Sequence, residues 1–330
     1  MSTIKMLFLW LVLLTLSNVT IADNSFLEMC QRPTPAQQHT LEMISINLGV
    51  EFGEGHCVKL NQRLLTTPFI ALDKKAITDL SPIKYFKQLD TLYAILNTIN
   101  DYSPLTYLPR LEDLQVTVSA GDDLSPIFSL KPLKSLVMFC NNQPDFEGIH
   151  KLRTLEELTF PCRLKELKGI ASLTQLTALH LYNNELDDIN ALRNFKQLKR
   201  LGLRSNKIVD LIPLKDLTTL EMIRLDVNEI VDVSALSGLA NLKSLYLSIN
   251  KIKDISPLVT LKNLEYLTLE RNPITDVSLL VSLPNLKNFT VDSKHLVRCS
   301  PRNMSELKQG ISCYETNGKL KSWWKRMLRL

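Results

Sequence analysis

One spacing governs what this chain can fold into: leucines and an asparagine return every 22 residues along most of its length. The clearest instance is Leu176-x-x-Leu179-x-Leu181-x-x-Asn184. It is repeated at Leu198, Leu201, Leu203 and Asn206, then at Leu220, Ile223, Leu225 and Asn228. Two further copies follow, Leu242, Leu245, Leu247 and Asn250, and Leu264, Leu267, Leu269 and Asn272. Upstream, Leu89, Leu92, Ala94 and Asn97 fit, as do Leu133, Leu136, Met138 and Asn141, whereas Leu111, Leu114 and Val116 end in Ser119. Ile70 and Leu72 open the array, and Leu286, Phe289 and Val291 close it, so about eleven strands are expected. In a short strand every second side chain points to one face, and a single coil cannot bury that face alone. The coils must therefore stack, leucines inward, into one continuous core.

The other residue types of the repeat follow from that stacking. Asparagine stands where the chain leaves the strand, and its amide both donates and accepts, so it can satisfy backbone groups that the stack would otherwise bury unpaired. In the second half of the coil an aspartate recurs at 79, 101, 123, 145, 188, 210, 232, 254 and 276, often before Ser-Pro, as in Asp79-Leu80-Ser81-Pro82. Such an aspartate caps a tight turn or one turn of 3₁₀ helix, and proline suits the first position because no amide hydrogen is needed there. One coil is a residue short: Leu155, Leu158 and Phe160 lead into Pro161 and Cys162, with Cys162 in the asparagine place. A local irregularity of the sheet is expected there.

These coils, from about Phe69 to Val291, resemble the 22-residue subclass of leucine-rich repeats found in internalins and Sds22-like phosphatase regulators. The resemblance implies an α/β repeat solenoid, a leucine-rich-repeat horseshoe with a parallel concave sheet and short 3₁₀ or turn elements on the convex side. It also implies a protein partner held on the concave sheet.

The ends read differently. Residues 1–22 have the form of a signal peptide: Lys5 precedes an apolar run from Met6 to Leu16, and Thr20-Ile21-Ala22 offers small residues before a cut. An uncleaved anchor is the other reading, but no basic stop-transfer cluster follows. The expected location is secreted or periplasmic, which the intracellular phosphatase-regulator branch does not match. Residues 23–66 form an N-terminal cap with a helix, because Thr34-Pro35 makes an N-cap followed by proline and Leu41, Ile44 and Leu48 recur at helical spacing. Repeats occupy 67–294, and a second cap with helical spacing at Met304, Leu307 and Ile311 occupies 295–314. Six cysteines in an exported chain point to disulfides. Proximity pairs Cys30 with Cys57 and Cys299 with Cys313, whereas Cys140 and Cys162, in consecutive coils, are either a third bridge or two buried thiols.

Residues 315–330 form a basic tail in which Lys319, Lys321, Lys325, Arg326 and Arg329 surround Trp323, Trp324, Met327 and Leu328. Those five charges equal the whole formal net charge of +5. The tail is either a solvated extension or an amphipathic segment for an anionic membrane surface or an acidic partner, and in the second case the alternative function is that of an envelope structural or membrane-associated protein docking through it. A nearly neutral solenoid gives no reason to expect nucleic acid as a partner.

Within the repeats, the third, fifth and seventh positions of the template face solvent. They carry Tyr93, Val137, Phe139, His180, Tyr182, Arg200, Arg204, Arg224, Asp226, Tyr246, Tyr266 and Glu270. Tyrosine and arginine anchor protein interfaces because they bury much area while keeping polar ends, so this set, Val137 apart, is the expected partner-binding stripe. The histidines at 39, 56, 150, 180 and 295 are scattered, and neither a glycine-rich phosphate loop nor a metal-ligand spacing is present. The chain is therefore expected not to be an enzyme and to need no cofactor, metal or small-molecule substrate.

Overall fold

The computed structural model describes residues 24–53, 55–141 and 145–291, together with the backbone of 312–314. The expected signal peptide, most of the expected C-terminal cap with its Cys299–Cys313 bridge, and the basic tail lie outside the described residues. Two compact units make up the chain, one ending at Leu133 and the other beginning at Lys134.

In the first unit three helices precede the repeats: α1 (Asn24–Gln31), α2 (Pro35–Asn47) and α3 (His56–Arg63). One helix was expected; α1 and α3 were not foreseen. Thr34 caps α2 as anticipated, and Gln37 completes a reciprocal box, its amide N–H bonding the threonine hydroxyl and its side-chain oxygen the threonine N–H. Phe26, Leu41, Ile44 and Leu60 are buried, and Phe26 meets Tyr85 edge-to-face. The cap is keyed to the first coil by polar contacts: the Thr40 hydroxyl donates to the Asp79 carbonyl at 2.7 Å, and the Gln37 amide to the Ser81 hydroxyl at 3.0 Å. Cys30 and Cys57 are joined, tying α1 to α3. This cap covers leucines that the first coil would otherwise expose.

Three parallel strands follow in this unit, β1 (Phe69–Ala71), β2 (Thr91–Ala94) and β3 (Asp113–Val118). The second unit carries β4 (Ser135–Cys140), β5 (Glu157–Thr159), β6 (Ala178–His180), β7 (Arg200–Gly202), β8 (Met222–Arg224), β9 (Ser244–Tyr246), β10 (Tyr266–Thr268) and β11 (Asn288–Thr290). Each is parallel to the next in chain order. Those are the eleven repeat strands. A further strand, β12 (Ser312–Tyr314), runs parallel to β11 in a region where only helical spacing was expected.

The turn side of the coils is built as the aspartates imply. All nine accept a backbone N–H two residues on, from Asp79 with Ser81 at 2.7 Å to Asp276 with Ser278 at 2.8 Å. The residues that follow form single 3₁₀ turns such as Ser81–Tyr85 and Ser256–Thr260, with one four-residue α-turn, α4 (Ser125–Phe128). Capping accounts for these carboxylates without any metal or acid–base role.

The asparagines form the expected ladder. Asn228 is typical: its Nδ2 donates to the carbonyls of Leu203 and Leu225, each at 3.0 Å, while its Oδ1 accepts from Ile208 N at 3.0 Å. Asn97, Asn184, Asn206, Asn250 and Asn272 repeat the pattern. The residues before Asn97, Asn184, Asn206, Asn228, Asn250 and Asn272 have positive φ, as does Lys74 before Lys75 in the first coil, and this turns the chain out of the strand.

The short coil departs in a way that locates its missing residue. Strand β4 pairs with β5 at an offset of 22, Ser135 with Glu157, but β5 pairs with β6 at an offset of 21, Glu157 with Ala178. By Cys162 the usual spacing has returned, since Asn184 Oδ1 accepts from Cys162 N and Leu164 N. The lost residue therefore lies at the strand exit, where Pro161 stands, and proline cannot supply the positive φ used there elsewhere. Cys162 occupies the asparagine place and is joined to Cys140, with Cα atoms 4.9 Å apart, which resolves the alternatives left open for that pair.

Candidate functional site

The exposed sheet face of the second unit is organised in three rows. The first row runs Glu157, Ala178, Arg200, Met222, Ser244 and Tyr266 across β5 to β10. Because Ala178 has no reach of its own, the Arg200 side chain extends across it and pairs with Glu157 two strands away. The second row runs Thr159, His180, Gly202, Arg224 and Tyr246. The Arg224 guanidinium sits over the Tyr246 ring, 4.9 Å from its centroid. The third row, just beyond the strands, holds Tyr182, Arg204, Asp226, Ser248 and Glu270, linked coil to coil by backbone bonds such as Ser205 N to Asp226 O and Val227 N to Ser248 O.

At the centre lies a depression of about 700 Å³ lined by His180, Tyr182, Arg200, Gly202, Arg204 and Arg224, among others. Gly202 makes it possible. A β-carbon there would stand 2.7 Å from His180 Nδ1, so the imidazole lies over space that any other residue would fill. Burial first, and the nearby Arg200 and Arg224 charges after it, hold the His180 pKa below its ordinary value, with Glu157 pulling the other way. Tyr182 is pushed up by burial alone.

Beside the depression the acidic groups are engaged. Asp226 Oδ1 accepts from Ser248 N at 3.2 Å and from the Thr268 hydroxyl at 3.3 Å, and the Ser248 hydroxyl donates to Glu270 at 2.6 Å. Burial raises the Asp226 pKa against those hydrogen bonds and the Arg204 charge. Among the described residues no carboxylate lies within ion-pair distance of Arg204 or Arg224.

The structure brings His180, Tyr182, Arg200, Arg204 and Arg224 to one depression, with Asp226, Tyr246 and Glu270 on neighbouring coils and Tyr266 exposed further along. Phe139 and Val137 are half-buried on β4. Tyr93 belongs to the first unit, where its hydroxyl donates to Asp113 at 3.2 Å and its ring meets Phe69. Glu157 and Gly202 went unrecognised in the sequence, although both sit at outward positions of the template. A second hollow, about 790 Å³ and lined by residues such as Phe146, Phe160 and Glu166, is not on this sheet face. Cys30, His56 and Cys57 also come together within metal-ligand reach, which sequence spacing alone missed, but the two sulfurs are joined to each other.

Stacked parallel strands, an asparagine ladder and capped 3₁₀ turns define a repeat solenoid whose outward side chains are free to make contacts. The chain is a leucine-rich-repeat protein. The family model for two copies of leucine-rich repeats matches residues 218–260 and 240–280. Among solved structures, an internalin from Listeria monocytogenes is 25% identical with a TM-score of 0.65, the match covering 86% of this chain and 98% of that one. A leucine-rich-repeat protein from Leptospira interrogans is 21% identical with a TM-score of 0.59, covering 78% of this chain and 76% of that one. The plant peptide hormone receptor RGFR1 in complex with RGF2 is 18% identical with a TM-score of 0.53, covering 71% and 44%. Among curated proteins, none matches this chain. The 22-residue spacing is consistent with the internalin-type subclass, and the fold is one typical of protein–protein interaction.

Proposed function

We propose that this is an exported leucine-rich-repeat protein that binds a protein partner through the exposed sheet face of its second unit. One observation carries the reading: His180, Tyr182, Arg200, Arg204, Arg224 and Tyr246 sit on adjacent coils of a single face, in and beside one depression. Aromatic and arginine side chains held on a rigid sheet contribute large contact area at little cost in conformational entropy. The receptor RGFR1, seen with RGF2 bound, supports a role in holding a polypeptide. Export is supported by the two disulfides and by the apolar leader. Among the described residues no helix is long and apolar enough to cross a membrane.

A photo-crosslinking residue placed at Tyr246 or Tyr266, and in parallel at Lys253 on the turn side, tests the docking face. Cross-links from the first two positions and not from the third are expected; the reverse pattern sinks the reading. Cell fractionation with N-terminal sequencing tests export, with a mature chain beginning near Asp23 as the expected result.

A further inference from the structure

We propose that the depression over Gly202 is a seat for a carboxylate side chain, aspartate or glutamate, carried on an extended segment of the protein partner, with Arg204 and Arg224 as its clamp. The proposal rests on the docking face argued above and names the chemistry that face selects.

Three arginines border the depression, and they are not equivalent. Arg200 is neutralised by Glu157, whereas Arg204 and Arg224 face no carboxylate within ion-pair distance among the described residues. Asp226, one coil on from Arg204 in the same row, already accepts from Ser248 N and Thr268 and does not line the depression. Arg224 is held against Tyr246, which orients its planar fork before any ligand arrives. His180 lines the same depression from β6, half-buried, with neither ring nitrogen hydrogen-bonded among the described residues. Its cost of burial falls when an anion arrives, since the imidazole can then donate. Cations clustered in a recess of lowered dielectric attract an anion more strongly than the same groups would on open surface.

Charge complementarity therefore names an anion, and the size of the recess names how it is carried. About 700 Å³, open to the sheet face, is far more than one carboxylate occupies, and Tyr182, which lines it, together with Tyr246, on the strand next to Arg224, offers ring surface to cover the main chain of a short segment. A partner segment with lysine or arginine at this point meets two unpaired guanidinium groups and is rejected.

The test measures fluorescence anisotropy of the full chain with an eight-residue peptide alternating glutamate and glycine, beside the glutamine–glycine analogue and inorganic phosphate as competitor. The glutamate peptide is expected to bind at least tenfold more tightly than the glutamine peptide. Arg204→Gln combined with Arg224→Gln is expected to remove that preference at an unchanged melting temperature, and Arg224→Lys to remove part of it. Equal binding of the two peptides, no binding of either, an indifferent double variant, or displacement by equimolar phosphate overturns the carboxylate seat. Once the native partner is in hand, binding that is lost in Tyr182→Ala with Tyr246→Ala but untouched in the arginine pair overturns the seat and leaves the docking face standing. Binding indifferent to both pairs overturns the docking face as well.

Discussion

A β-carbon on Gly202 would stand 2.7 Å from Nδ1 of His180, so the imidazole occupies space that only glycine leaves open. The two residues are directly opposed on β6 and β7. Gly202→Ala must therefore move the ring or the strand. A destabilisation of about 1–3 kcal/mol is expected, as for other overpacked sites. Denaturant midpoints at constant m-value measure it, and an unchanged midpoint means that the ring moves freely and the depression is not a fixed shape.

His180 also makes stability depend on pH. Its folded pKa is depressed by burial and then by Arg200 and Arg224, against Glu157; Tyr182 and Arg204 complete its surroundings in the depression. The unfolded chain has an ordinary histidine value near 6.5 and so binds the proton first as pH falls. The contribution is full above about pH 6.5 and is lost as pH falls through the folded value, with a slope of at most about 1.4 kcal/mol per pH unit. His180→Gln should flatten that part of the profile. Histidine resonances followed by NMR should show one titrating below the ordinary value, moving upward when the glutamate peptide binds.

Asn228 ties its own coil to the preceding one. Its amide bonds the carbonyls of Leu203 and Leu225 and the N–H of Ile208, all out of contact with water. Asn228→Ala leaves those groups unpaired, and about 2–4 kcal/mol of stability should be lost. Because each coil touches only its neighbours, the loss should be local. Hydrogen exchange is expected to quicken at Ile208 and in the flanking coils while the helical cap of the first unit keeps its protection; uniform acceleration throughout contradicts that account.

The Cys140–Cys162 bridge spans the coil that is one residue short. Closing a loop of 22 residues is worth about 3 kcal/mol in the chain-entropy account. Cys140→Ser with Cys162→Ser should lower stability by about that amount and weaken pairing between β4 and β5. Peptide mapping without reductant should recover the two cysteines in one linked fragment, and two free thiols there argue against the bridge.

Much of this was legible in the chain because each level repeats. The positions of Leu179, Leu201 and Leu245 forecast strands, Asp254 forecast a capped turn, and Asn206 forecast its own hydrogen bonds, since all depend on contacts within a coil or one coil away. The cap was read less well: Thr34 and Pro35 announced α2, but α1 and α3 carry no such signal, and Gly55 caps α3 without a side-chain bond. The outward positions of Arg200, Arg204 and Arg224 followed from alternation. Their partners did not.

The 22-residue sequence period determined the solenoid by itself, because local turn chemistry and the need to bury one apolar face admit no other arrangement of such coils. Tertiary structure alone decided how the exposed face is used. Arg200 meets Glu157 because Ala178 leaves the intervening strand low, and a depression opens at His180 because Gly202 lies beneath it. Those outcomes depend on side-chain size across strands 21 to 43 residues apart in sequence, a relation that no local pattern encodes.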